Sequence, residues 1–519
     1  MLSALIVLPI LGSLLLFLGL GGRKLAVVLA GIPLAIALFL FTRFDLQAAS
    51  FQWEQRWDWI PPIGLSYSLG LDGLSLLMVA LNGLLTLIAI LTAEPEVKRP
   101  NLFYGCILLM SGSVNGAFAA QNLLLFFLFY ELVLIPIYLL ISIWGSPKRD
   151  YAAIKFLIYT AVSAVFLLGA FLAIYWLGDP HTFELAEIRI SSLGPAAQTL
   201  ALLALIVAFG IKMPLVPFHT WLPDAYGESS PPVAVLLGGV LSKLGTYGLF
   251  RFGLQLFPQA WADLGGILAW WGAIAVLSGA LAAIAQKDIK RMVAYSSIGH
   301  MGYILLGMAA ATPISLTGAM VQMVSHGLIL ALLFDLVGLV ERKVGTRDLD
   351  VLNGLLNPLR GLPTVSALLI LGGMASAGIP GLVGFVAEFL IFQGSYQDFP
   401  LPTLISICGT GLTAVYFVIL LNRTCFGKLD NRTAYYPRVQ GWERIPGFVL
   451  TALIVWFGIQ PMNLVKWPQP LAFTLSTQVA QAQTLILASA GDLAHSPQVT
   501  FSGADQSNRG TSRKRPRPN

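Results

Sequence analysis

Charge and cysteine are what this sequence has least of. Charged residues fill 11% of its 519 positions, against about 25% in soluble domains, which excludes a string of soluble domains of that length. The three cysteines, Cys106, Cys408 and Cys425, lie far apart and share no motif. They cannot supply the four thiolates of an iron–sulfur cluster or a zinc centre. Neither GxGxxG nor GxxxxGK[ST] occurs, so nucleotide and electron-transfer chemistry belongs to another chain wherever the function involves it. The run Leu2 to Leu20 lacks a basic flank and a small-residue cleavage site, and reads as a retained helix rather than a signal peptide. The NRT sequons at Asn422 and Asn431 read as chance. A general basic surface is missing too. Of the net charge of +6, the stretch 509–519 supplies five Lys/Arg with no acid, leaving +1 for the rest. Nucleic acid is therefore not an expected partner. The basic tail reads as a solvated, disordered end, with lipid headgroups as the alternative contact.

What is abundant is apolar sequence. Hydrophobic residues reach 56%, and mean hydropathy is +0.78. Apolar runs of roughly twenty residues recur along the chain, the length that spans a bilayer core. Backbone polar groups in hydrocarbon must pair internally, so these runs are helices, and none shows the alternation of a barrel strand. The expected fold is all-α and membrane-embedded, with about fourteen helices: 2–20, 25–42, 72–93, 101–120, 122–144, 152–177, 196–225, 231–256, 261–285, 289–310, 313–340, 363–397, 399–422 and 446–465. Loops after odd-numbered helices carry 18 Lys/Arg and loops after even-numbered helices four, Arg251 among them. By the positive-inside rule the odd loops are cytoplasmic and the N-terminus lies outside. A fifteenth crossing through 471–489 would bring the basic tail inside, but that segment is polar for a span. The organisation expected is one transmembrane domain over 1–470, with a core at about 101–422, and a polar C-terminal segment over 471–519.

Two helices are too long and too interrupted to be plain spans. The seventh contains KMPLVPFHTWLP and the twelfth SAGIPGLVGFVAE. Proline removes a donor and kinks a helix. Paired interruptions in corresponding halves predict two five-helix inverted repeats around a midplane site.

Ionisable residues inside membrane helices cost several kcal/mol each, about 2.5–3.5 on insertion scales. This chain places Glu131, Lys155, Lys212, Lys243, His300, His326, Asp335 and Glu388 on its fifth to twelfth helices. Any one has a plain explanation. Lys212 with Glu131 suits a structural staple, Lys155 lies near enough a helix start to snorkel, and His300 alone reads as a satisfied core residue. Asp335 receives no role. Together, acid, base and imidazole alternate in chain order, which is the composition of a proton relay. Proximity of charges and burial pull these groups' proton affinities in opposite directions, so a movable partner can switch a lysine between holding and releasing a proton. His219 and His326 suit intermediate steps because imidazole titrates near neutrality.

The stretches ELVLIPIYLLISIWG, KMPLVPFHTWLPDA, LSKLGTYGLFRF, QKDIKRMVAYSSIGHMGY, QMVSHGL and GIPGLVGFVAEF resemble the chain 4 antiporter-like subunits of respiratory and photosynthetic complex I, which are akin to Mrp-type cation/proton antiporters. The resemblance runs from roughly residue 65 to 430. It implies a coupling pair in Glu131 and Lys212, a central lysine in Lys243, a bridging histidine in His326, a terminal proton site in Glu388, and a sixth-helix lysine in Lys155. His219 and His300 would be supporting. It further implies a subunit of a plastoquinone-reducing complex of the cyanobacterial or plastid type in a thylakoid membrane, with its N-terminus on the lumenal side. Iron–sulfur clusters and plastoquinone would sit on other subunits, and sister antiporter-like subunits and lipids would be neighbours. GTRDLDVLNGLLNPLRGLP and MASAGIPGLVGF are more similar to the CO2-uptake variant, in which a CO2-hydrating partner would dock on a sister chain. This chain carries no zinc constellation and no cofactor of its own. The alternative is a subunit of an Mrp-type Na+/H+ antiporter. Two positions depart from the family pattern: Tyr226 stands where histidine is common, and Asp335 where an apolar residue is expected.

Overall fold

The computed structural model describes residues 1–48, 50–358, 361–428 and 436–494, with the backbone alone over 485–494. Asn431, Arg360 and Arg432 of the loops and the basic tail 509–519 lie outside these described residues. The helices run in the expected order. Crossings one to six are Leu2–Phe17, Arg23–Arg43, Gly73–Thr92, Pro100–Ala119, Leu123–Trp144 and Arg149–Leu177. The seventh is split into Pro195–Lys212 and Trp221–Glu228 around its two prolines. The eighth to eleventh are Pro231–Leu254, Pro258–Ile284, Ile289–Ala310 and Pro313–Val344. The twelfth is split into Pro363–Ser376 and Val383–Ser395, and Pro400–Thr424 and Gly441–Ile459 complete the series. Both breaks therefore fall where proline and glycine interrupt the sequence, five crossings apart.

Helix starts follow local chemistry even inside the protein. The first amides of a helix lack intrahelical acceptors. Asp72 accepts from Ser75 N, Asn122 from Leu124 N and Leu125 N, and Asp288 from Lys290 N and Arg291 N.

The loops sort onto two faces, as the charge count predicts. On one face, odd loops bond to odd loops and to helix ends there: Arg23 Nη2 donates to Leu91 O at 2.8 Å, Trp144 Nε1 to Lys98 O at 2.6 Å, and Lys148 N to Glu228 Oε2 at 3.2 Å. There Arg347 also pairs with Glu228 at 3.2 Å and with Asp288 at 2.6 Å. On the opposite face, Arg56 pairs with Glu187 at 2.6 Å, and Gln121 N donates to Ser68 O at 2.9 Å.

Three features differ from the sequence expectation. An antiparallel hairpin, β1 Gln52–Ile60 with β2 Leu65–Leu71, fills the second loop. Its Trp/Tyr-containing strands are shorter than a span and carry no helical period, so hydropathy alone passes over them. The residues 471–489, expected as part of a polar segment, fall within a helix, Gln469–Ala494, which is not among the described helices long and apolar enough to cross a membrane. Its residues Phe473, Ser476, Ala480 and Thr484 line one groove with Gly265, Thr312 and Phe399, at the ends of the ninth, eleventh and thirteenth crossings on the even-loop face. Arg251, counted above with an even loop, is buried in the last turns of the eighth crossing and forms an ion pair with buried Asp72.

The eighth and eleventh crossings are enclosed on every side by other helices. They approach closely where glycine meets glycine: a Cβ on Gly327 would lie 2.9 Å from Gly239 O. Only side chains absent from both helices permit that spacing.

Candidate functional site

The close approach at Gly239 and Gly327 sets Lys243 against His326. The eighth crossing opens into a π-helical turn over Leu237–Leu241, ending two residues before Lys243. A π turn leaves carbonyls without their usual α-helical donors. Here side chains take them up: Tyr226 OH donates to Leu237 O at 2.8 Å, and Lys243 Nζ to Gly238 O at 2.6 Å. Lys243 Nζ also lies 2.7 Å from His326 Nδ1 and 3.3 Å from Ser242 Oγ. Lys243 is wholly enclosed, with no carboxylate within ion-pairing reach among the described residues.

The row continues into the second half. His326 stacks on His300, ring centroids 5.2 Å apart, and His326 Nε2 has no hydrogen-bond partner among the described residues. His300 Nδ1 is 2.8 Å from Ser296 O. A carbonyl only accepts, so that nitrogen carries a proton. His300 Nε2 faces Ser376 O at 3.2 Å and Glu388 Oε1 at 3.7 Å. Glu388 Oε2 accepts from Thr410 Oγ1 at 3.1 Å, and Thr410 in turn meets Tyr303 OH at 3.0 Å. The break of the twelfth crossing makes room for this end. Gly378 has φ +68°, and a Cβ there would stand 2.8 Å from Glu388 Oε2. Lys243, His326, His300 and Glu388 are thus in successive contact, all buried.

The first half is arranged differently. Glu131 and Lys212 act on one another through space, yet no ion pair joins them within 4.0 Å. Lys212 Nζ instead sits over the Tyr130 ring, 4.0 Å from its centroid, where the ring face offers an ammonium about 0.5–2 kcal/mol. Glu131 Oε1 is buried with no hydrogen-bond partner among the described residues. The carboxylate stands two residues before Val133, where the fifth crossing divides into Leu123–Leu132 and Leu134–Trp144, an interruption explained by Pro136, which has no N–H to give Leu132 O and crowds that carbonyl.

Lys155 lies apart from the row. Its Nζ pairs with Asp224 at 2.8 Å, and Asp224 also holds Arg291 at 2.9 Å, near the odd-loop face. His219 is half-buried in the break of the seventh crossing, its Nδ1 without a hydrogen-bond partner among the described residues. Asp335 is buried and accepts from Thr92 Oγ1 at 3.0 Å. Sequence reading missed Tyr130, Thr410, Ser376 and Tyr303. Neutral side chains in apolar runs leave no trace in charge or period. It also passed over the Asp72–Arg251 pair, in which Arg251 Nε donates to Tyr247 OH at 3.1 Å. Among the described residues, no group of three or more His, Cys, Asp or Glu could hold a metal ion.

Known proteins share the sequence family and the fold of this chain. A family model described as NADH:quinone oxidoreductase/Mrp antiporter, transmembrane, matches residues 120–413. NAD(P)H-quinone oxidoreductase chain 4 1 of Nostoc sp. is 40% identical over 452 residues, 85% of this chain and 83% of that one. Chain 4 of the same enzyme from Gloeobacter violaceus is 39% identical over 437 residues, covering 83% and 82%. Among solved structures, a chain of respiratory complex I from Thermus thermophilus superposes with TM-score 0.85 and 30% identity, covering 92% of this chain and 100% of that one. A chain of the Mrp complex from Dietzia sp. shares the fold at TM-score 0.80 and 22% identity, covering 93% and 99%. With its buried row of Lys, His and Glu, and these relatives, the chain belongs to the NADH:quinone oxidoreductase/Mrp antiporter membrane family, beside the chain 4 subunits of NAD(P)H-quinone oxidoreductase.

Proposed function

We propose that this chain is a proton-translocating membrane-arm subunit of a photosynthetic complex I, coupling electron transfer to plastoquinone on other subunits to proton movement through its own buried row. The observation that carries the reading is the unbroken contact of Lys243, His326, His300 and Glu388 inside enclosed helices. Curated relatives at 40% identity favour this reading over an Mrp-type antiporter subunit.

Glu131 and Lys212 are the input. Their charges act on one another without a bond, so a small movement of either changes the field at Lys243. Lys243 then gives a proton to His326 Nδ1, at 2.7 Å. His326 releases one from Nε2, and because the two rings stack face to face, a bridging water or a ring turn completes the step to His300. His300 passes it from Nε2 to Glu388 Oε1. Moving one proton against 100 mV takes about 2.3 kcal/mol. Breaking a bonded buried pair is worth about 3–5 kcal/mol; Glu131 and Lys212 do not touch and contribute less, so electron transfer on the other subunits supplies the remainder.

Within this proposal the odd-loop face is cytoplasmic, the N-terminus is lumenal and the membrane is the thylakoid. The iron–sulfur clusters and plastoquinone belong to other subunits, sister antiporter-like subunits and lipids flank the chain, and the complex is of the CO2-uptake form with CO2 hydration on a neighbouring subunit. The test is Lys243→Met in the assembled complex. Proton uptake into membrane vesicles should fall at least about tenfold, the equivalent of 1.4 kcal/mol in a barrier, with the complex still assembled. Unchanged proton movement per quinone reduced would refute the row.

A further inference from the structure

Asp335 takes no part in the row just described. It follows His326 by nine residues on the same helix, and at about 100° per residue that turns it to the opposite side. It faces the third and fourteenth crossings instead. Oδ1 accepts from Thr92 Oγ1 at 3.0 Å, while Oδ2 is buried without a hydrogen-bond partner among the described residues. A Cβ placed on Gly447 of the fourteenth crossing would lie 3.8 Å from Oδ2, so the glycine leaves that oxygen room. Of the charged groups around it, Arg342 on its own helix and Glu443 on the fourteenth crossing act on it. Neither touches it: Arg342 Nη1 donates to Thr92 O at 3.3 Å, and Glu443 is held by Lys343 at 2.9 Å. A carboxylate with one neutral donor and no countercharge in contact is costly to keep ionised in such a place.

Thr92 is the link to the outside. It ends the third crossing and lines a cavity of about 520 Å3 that opens on the odd-loop face, together with Glu94, Glu96, Lys290, Glu341 and Arg342. One wall of this cavity, which charged side chains share, is therefore the residue whose hydroxyl bonds Asp335. A hydroxyl both donates and accepts. It can take a proton from cavity water on a lone pair as it hands its own to Oδ1, and the reverse sequence returns the proton.

We infer that Asp335 is a second proton-binding site, separate from the Lys243–Glu388 row, which exchanges protons with the odd-loop face through the Thr92 hydroxyl and the cavity it lines. The site goes beyond the proposed pumping function and does not depend on it. Binding and release there change the charge held between the third, eleventh and fourteenth crossings, on the helix that carries His326.

Infrared difference spectroscopy on the intact, membrane-embedded complex tests this. The wild-type protein should show a carboxylic-acid C=O band that Asp335→Asn, a change of the same size, removes. Thr92→Val should keep the band and slow its hydrogen–deuterium exchange by about tenfold or more, as for a barrier raised by 1.4 kcal/mol. No band lost in Asp335→Asn at any pH, or an exchange rate unchanged in Thr92→Val, overturns the inference. Asp335→Asn should also leave proton movement per quinone within about twofold, a change worth under 1 kcal/mol. A collapse as deep as that of Lys243→Met would put Asp335 on the row and overturn its separateness.

Discussion

The two halves of the buried row are built on opposite plans. From Lys243 to Glu388, each ionisable group touches the next, and all but His326 are oriented by a neutral neighbour: Gly238 O for Lys243, Ser296 O for His300 and Thr410 for Glu388. From Glu131 to Lys212 to Lys243 there is no such contact. One carboxylate oxygen is unpartnered and the ammonium rests on an aromatic face. The contrast separates two tasks. A wired segment moves a proton with little rearrangement. A segment of charges that sense one another without bonding responds to an outside field, because nothing pins them.

The deepest break in this comparison is His326→Leu, which removes the only side chain touching both Lys243 and His300 among the described contacts. Proton movement in vesicles should drop to background while quinone reduction continues or slows; normal pumping would mean the second half is not wired. Next comes Glu131→Gln, which keeps shape but removes the charge facing Lys212. Pumping should fall by about three- to tenfold, the size expected for losing a long-range coupling of about 1 kcal/mol. A result matching His326→Leu would show that both halves conduct alike. The smallest effect belongs to Tyr130. Tyr130→Phe keeps the ring face and should leave pumping near wild type. Tyr130→Leu forfeits about 0.5–2 kcal/mol of support for the ammonium and should shift the pH dependence of pumping. Equal behaviour of the two variants would remove the ring from the account.

Much of this was legible beforehand, for identifiable reasons. Spans announce themselves because bilayer thickness demands about twenty apolar residues, and the loops' Lys/Arg asymmetry predicted which loops share a face. The broken crossings were marked by Pro214, Pro217 and the glycines from Gly378 onward. Burial of Lys212, Lys243, His326 and Glu388 followed from their position in apolar runs. What stayed hidden depends on side-chain direction. No period distinguishes Asp335, turned outward from the row, from His326, turned into it. His300 read as an ordinary core residue because its importance lies in a stacking partner 26 positions away, His326. The expected contact of Glu131 with Lys212 proved to be an approach without a bond, since Tyr130 occupies the space beneath the ammonium. The hairpin at 52–71 escaped notice because β pairing is read from partner strands, not from hydropathy.

The wide turn at Leu237–Leu241 has a consequence for how this gene can change. A π turn holds one residue more than an α-helix would at the same length. Deleting one residue within it would let the helix relax to ordinary winding with the parts before and after the turn still in register, so Lys243 would still face His326 and Arg251 still face Asp72. What would be lost is the widened turn itself, whose Leu237 and Gly238 carbonyls are taken up by Tyr226 OH and Lys243 Nζ. A single in-frame codon loss there would therefore spare the fold and strip Lys243 of its backbone acceptor. The eighth crossing is a place where one surplus residue serves the lysine rather than the helix.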